Sequence, residues 1–188
     1  ANALRVGNAQ ADAALAGETR LAVQALQDGG RFTITRMQAE NPQVQVDGKG
    51  VIGGGQTDFD AQAVSKNLAF LGAGYGGSVQ AGVKLRDQGG LTHFDVTGTG
   101  TNISAGSAQL NSALRGDTTF VARGTRAGAL IRLEEARAQN GQITATASGA
   151  YGAGQTDLRA QLEAANLGFV TSNLRGSLQG QAPVVDLP

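Results

Sequence analysis

Cysteine is absent from the 188 residues, so disulfides, cysteine nucleophiles and thiolate metal sites are excluded. A single histidine, His93, rules out a histidine-rich metal centre built from this chain alone. Tryptophan is missing and only two tyrosines are present, which argues against an aromatic platform for stacking bases. Neither sign of charge is in excess: 15 basic residues face 15 acidic ones, and a phosphate-binding surface needs a cationic stripe. No catalytic residue, metal, cofactor or nucleic-acid partner is therefore expected. Long apolar runs are lacking too. Stretches such as Leu68 to Ala73 fall far short of the ~20 residues of a membrane helix. The N-terminus, Ala1-Asn2-Ala3-Leu4-Arg5, has neither the basic nor the apolar region of a signal peptide. The chain reads as a segment of a longer protein whose anchor or export signal lies elsewhere.

What is abundant is small. Alanine and glycine supply 31 and 29 residues, while Val, Ile, Leu, Met and Phe together supply only 43. That is a thin supply for a compact core, although zero net charge argues against disorder. The expectation is a folded chain with a shallow or open apolar face.

The sequence repeats at a spacing of 99 residues. GGGQTDFDAQAVSKNLAF at 53–70 returns as GAGQTDLRAQLEAANLGF at 152–169, with ten of the eighteen positions identical. The offset holds without gaps elsewhere: Gly17-Glu18-Thr19 aligns with Gly116-Asp117-Thr118, and Asn41 with Asn140. The chain thus reads as one continuous β-repeat segment over 1–188, with copies at 17–115 and 116–188. Such self-similarity points to units stacked along one axis. A tandem pair of compact domains is the alternative, but no proline-rich or charged linker separates the copies.

Within each copy the apolar residues alternate, the signature of strands with one dry and one wet face. Phe32 and Ile34 fall together, as do Val44 and Val46, and Phe59 with Ala61 and Ala63. Val79, Val83 and Leu85 share a phase, and so do Phe94 and Val96. The second copy keeps the phase with Phe120, Ile131, Leu133, Ile143, Leu158 and Leu162. Strands wet on one side favour antiparallel pairing. Asn140-Gly141 reads as a two-residue hairpin in which both positions take positive φ, and Asn41-Pro42 as the matching turn. The segment from Asp157 to Asn166 could be helical, but its copy at 58–67 favours a strand.

Stretches such as RFTITRMQAENPQVQVDGKGVI and ARAQNGQITATASGAYG resemble the TamB and AsmA-like proteins of Gram-negative envelopes. The pattern covers almost the whole chain, though no invariant catalytic motif defines that family. The resemblance implies an all-β fold: a long, curved, mainly antiparallel sheet folded into a U-shaped trough, the β-taco, with an apolar interior. It also implies a periplasmic location in a protein anchored to the inner membrane, and a TamA-like outer-membrane barrel as partner. Family functions in outer-membrane protein and autotransporter assembly, and in phospholipid movement, make phospholipid or unfolded outer-membrane protein strands the expected guests. The expected groove lining is Phe32, Ile34, Val44, Val46, Phe59, Val79, Val83, Phe94, Val96, Phe120, Ile131, Leu133, Ile143, Leu158 and Leu162. For each of these, ordinary packing in a core is the competing role.

Three motifs invite other readings. Gly48-Lys49-Gly50-Val51-Ile52-Gly53 matches G-x-G-x-x-G, but a dinucleotide site needs a helix next, and here more glycine and another strand pattern follow. Bulges or tight bends explain these glycines better. Asp58 and Asp60 could pair as acid and base, yet Asp60 becomes Arg159 in the second copy, so a solvated face is expected. His93 is out of phase with Phe94 and Val96 and is expected to point outward. A surface adhesin or autotransporter passenger folded as a parallel β-helix is the alternative architecture. Exposed edge strands would in either case favour self-association.

Overall fold

The computed structural model describes residues 16–88, 90–152, 154–164, 176 and 178–184. They form one all-β sheet of eleven strands joined in chain order: β1 (Arg20–Asp28), β2 (Arg31–Glu40), β3 (Val44–Gly53), β4 (Gln56–Ser65), β5 (Tyr75–Gln88), β6 (Leu91–Ala105), β7 (Asp117–Ala127), β8 (Leu130–Gln139), β9 (Ile143–Gly152), β10 (Gln155–Ala164) and β11 (Leu178–Val184). Every neighbouring pair is antiparallel. That pairing excludes a parallel β-helix. The sheet is open, with β1 and β11 at its two edges, and ten interstrand steps of ~4.8 Å give it a span of roughly 48 Å. The segment from Asp157 is strand β10, as its copy indicated.

The 99-residue offset is visible in the fold. The spans of β2, β3 and β4, moved by 99, coincide with those of β8, β9 and β10. Even the irregularities recur. β2 carries a bulge between Ile34 and Met37, and β8 carries its copy between Leu133 and Ala136. Gly50 (φ 149°) recurs as Gly149 (φ 133°). At each, a Cβ would overlap a backbone carbonyl oxygen of the next strand, that of Asp58 or of Asp157. Only a residue without a side chain fits there. The G-x-G-x-x-G stretch thus lies within β3 and runs into the Gly54-Gly55 turn and β4, with no helix following.

The two ends of the sheet differ. One end is made of tight two-residue turns, such as Gly29-Gly30 and Gly54-Gly55, whose positive φ matches the twist of the hairpin. At the other end, two short helical connectors, a 3-10 turn at Leu68–Leu71 and helix α1 at Ala108–Ala113, lie between the turns at Asn41 and Asn140. The Asn140 turn corrects the expectation of a positive-φ Asn-Gly pair. Neither Asn140 nor Gly141 has positive φ. Instead the Asn140 side-chain oxygen accepts from the N–H groups of Gln142 (2.8 Å) and Ile143 (2.9 Å). Asn41 does the same for Gln43 (2.9 Å) and Val44 (2.7 Å). A side-chain cap of this kind closes the turn without left-handed backbone, and so leaves room for Pro42 in one copy.

Candidate functional site

Following the register from strand to strand separates the two faces of the sheet. Phe59 stands opposite Leu85, Leu85 opposite Phe94, and Phe94 opposite Gly124; Ala61, Val83, Val96 and Ala122 form the next row. The row continues through Ala136, Ala147 and Ala160 in one direction and through Gly48 and Met37 to Val23 in the other. All fifteen residues expected to line a groove fall on this one face. The face also holds Leu21, Val23, Met37, Ile52 and Leu85, which the expected lining leaves out.

Strict alternation misses Met37 for a physical reason. The bulge in β2 adds one residue, so the apolar phase jumps from Ile34 to Met37. Ala136 and Ala138 are displaced in the same way in β8. The irregularity itself keeps the face continuous.

No second layer of protein covers this face among the described residues. Their buried apolar residues are only Ala113, Ala150 and Ala164, and no large side chain is fully buried. Phe32, Ile52, Ile131 and Leu162 are exposed, at 37–42%. The rings that are half covered lie on glycines. A Cβ on Gly48 would come within 2.8 Å of the Phe59 ring, one on Gly124 within 2.8 Å of Phe94, and one on Gly98 would overlap Phe120. Aromatic groups set over glycine bury area without needing a facing sheet. Glycine is thus part of the apolar surface.

Between β7 and β11 the face holds a hollow of about 610 Å³. Its floor is alanine, at 122, 136, 138, 145, 147 and 160, and Phe120 and Leu162 flank it. Toward the tight-turn end the face becomes polar at Thr57, Asp87 and Thr92. The Thr92 hydroxyl donates to Asp87 (2.7 Å), and this bond, with Thr57, holds the Asp87 carboxyl below the usual range. Toward the other end, where the helical connectors lie, Ser65, Thr118 and Ala164 are buried. Asn140 donates to the Ala113 carbonyl (2.7 Å) and Gln142 to that of Ser112 (2.9 Å), which fixes α1 over this end.

The opposite face is charged. Arg86 bridges Asp58 (3.2 Å) and Asp60 (3.0 Å), and Arg123 bridges Asp95 and Glu135 (both 3.1 Å). The Asp95 hydrogen bond and charge, then Glu135, push the Arg123 guanidinium further toward the protonated form. A larger hollow of about 740 Å³ lies here, bordered by acids and bases alternately, including Asp47, Lys49, Lys84 and Arg123. Asp58 and Asp60 are therefore tied to one arginine, and His93 stands opposite Arg86 on this polar face. Among the described residues no three His, Asp or Glu side chains converge to hold a metal ion, and no helix is long and apolar enough to cross a membrane. No family model, curated protein or solved structure matches the chain.

Proposed function

We propose that the chain is a non-enzymatic carrier segment whose open apolar face holds an amphipathic guest: the acyl chains of phospholipid, or strands of an unfolded outer-membrane protein. One observation carries this reading. An apolar face runs across the eleven strands, keeps its phase through two copies of a bulged repeat, and has no covering layer among the described residues. A sheet that faces water on both sides has no reason to keep an apolar phase through a bulge, because an uncovered apolar face costs free energy until something occupies it. The resemblance to TamB and AsmA-like proteins supports the setting. In that setting the segment sits in the periplasm, within a protein anchored to the inner membrane, and works with a TamA-like outer-membrane barrel. There the sheet would curve into a trough around its guest, as part of a bridge between the two membranes.

The test is extraction. The chain is purified from a Gram-negative periplasm without detergent, and bound lipid is measured by mass spectrometry against a Val83→Asp, Val96→Asp variant. Co-purifying phospholipid or outer-membrane polypeptide that the variant loses is the expected result. A chain free of both kinds of guest contradicts the reading.

A further inference from the structure

Equal numbers of acids and bases hide an unequal partnering on the polar face. The hollow of about 740 Å³ there is bordered by the acids Asp47, Asp60 and Asp95 and by the bases Arg36, Lys49, Lys84 and Arg123. Each acid is already held. Asp47 accepts from Gln38 (2.8 Å) and Gln45 (3.1 Å), Asp60 accepts from Arg86 at both oxygens (3.0 and 3.2 Å), and Asp95 accepts from Arg123 (3.1 Å). Lys49 and Lys84 both stand opposite Asp60 in the register, yet Arg86 takes that carboxylate. Among the described residues no hydrogen bond or salt bridge holds Lys49, Lys84 or Arg36. The uncommitted charge at the hollow is therefore positive. These three cations are not part of the shared scaffold, since 99 residues on their places are taken by Ser148, Pro183 and Glu135. Two residues before Lys84 the floor is Gly82, with Gln62 and Thr97 opposite it on the flanking strands. An adjoining hollow of about 540 Å³ shares these three residues and adds Gln80 and Thr99. Among the described residues the side chains of Gln62, Gln80, Thr97 and Thr99 have no partner.

We propose that this hollow binds a phosphate ester that also carries hydroxyl groups, of the sugar-phosphate class. Lys49 on β3 and Lys84 on β5 lie two strands apart, ~10 Å. Their flexible ammonium stems can close on one phosphate from two sides, and Arg36 adds a third charge from the bulge of β2. Asp60 and Asp95 oppose an anion little, because Arg86 and Arg123 already neutralise them. The free amides and hydroxyls around Gly82 both donate and accept, which matches the hydroxyls of the ester. A soluble ester is the expected source. The rows beside the site carry Gln80 and Thr99 on one side and Asp58, Arg86 and His93 on the other, so the acyl chains of a lipid would find no apolar row there. The site lies on the reverse of the carrier face and stands or falls separately from it.

Gly82 supplies a test that leaves every charge in place. Its φ is not positive, and a Cβ there would stand 3.7 Å from the Thr97 hydroxyl, an ordinary contact. Gly82→Val therefore suits a strand and fills the floor. The full chain is titrated with glucose 6-phosphate at low salt and followed by amide NMR, with inorganic phosphate and glucose as comparison probes. The expected result is saturable shifts at Gly82, Lys84 and Thr97, with glucose 6-phosphate bound about tenfold more tightly than inorganic phosphate. Lys49→Gln, Lys84→Gln and Gly82→Val should each weaken binding by about tenfold, while Lys66→Gln, which removes a lysine outside the hollow, leaves it unchanged. Shifts that do not saturate, or that Lys66→Gln reduces as much as Lys84→Gln, overturn the site, since they mark general attraction to surface charge. Full binding by Gly82→Val overturns its placement in the hollow. Equal affinity for inorganic phosphate and glucose 6-phosphate overturns the ester. Sedimentation with phosphatidylglycerol vesicles separates the sources: no Lys84-dependent binding is expected, and vesicle binding that Lys84→Gln abolishes, without binding of glucose 6-phosphate, overturns the soluble ligand.

Discussion

At the residue scale the fold depends on places where no side chain fits. Gly50 and Gly149 occupy the same place in the two copies, both with positive φ and both pressed on a neighbouring carbonyl. Alanine at either position must move the adjacent strand, so Gly50→Ala and Gly149→Ala are each expected to cost about 2 kcal/mol or more in urea unfolding. Gly141 has open space around it and no positive φ. Gly141→Ala should therefore stay within about 0.5 kcal/mol of the parent. Equal effects at Gly50 and Gly141 would contradict the geometry. The abundance of glycine is legible from composition. Which glycines are turns, which are close approaches and which underlie a phenylalanine ring depends on the partner strand, and no local pattern encodes that.

At the element scale, alternation is enough to find the strands and to put fifteen groove residues in phase, because the side-chain period of a strand is two regardless of its partners. It fails at the bulges, where Met37, Ala136 and Ala138 change parity. The repeat holds the missing signal: the same break in phase occurs 99 residues apart, which marks it as a built feature. The sequence places Asn140 in a turn but not the mechanism of that turn, since an asparagine can either adopt positive φ or cap with its side chain. A second cross-strand device is testable through acid. Asp47 on β3 accepts hydrogen bonds from Gln38 on β2 (2.8 Å) and from Gln45 (3.1 Å), and these hold its carboxyl below the ordinary range. A carboxyl lowered in the folded state adds stability above its unfolded pKa of about 4, and this is lost as pH falls through the lowered folded value. Asp47→Asn should thus make the fall in urea midpoint between about pH 5 and pH 2 shallower than in the parent. Identical pH profiles would show that the Gln38 bond contributes nothing to the fold.

At the scale of the whole molecule, the scarcity of large side chains is organised. Apolar groups collect on one face, glycine and alanine lie between them, and charge pairs occupy the other face. Pairs such as Arg86–Asp60 and Arg123–Asp95 are too exposed to stabilise much, but they give that face its polar character. Balanced charge makes the polar face legible from composition, and the retained phase does the same for the apolar face. The hollow over alanine is not legible, because alanine in a sequence reads as filler and only the assembled register shows that six of them make one floor.

Whether the apolar face is the side that holds a guest is tested most directly at Val83 and Lys84. They are neighbours in β5 and stand on opposite faces. A photo-crosslinking side chain is placed at each in turn, in chain expressed in a Gram-negative periplasm, and the adducts are identified by mass spectrometry. Phospholipid or outer-membrane polypeptide adducts are expected from position 83, and few or none from position 84. Adducts that are equal at the two positions, or that come from position 84 alone, would contradict a guest-holding apolar face.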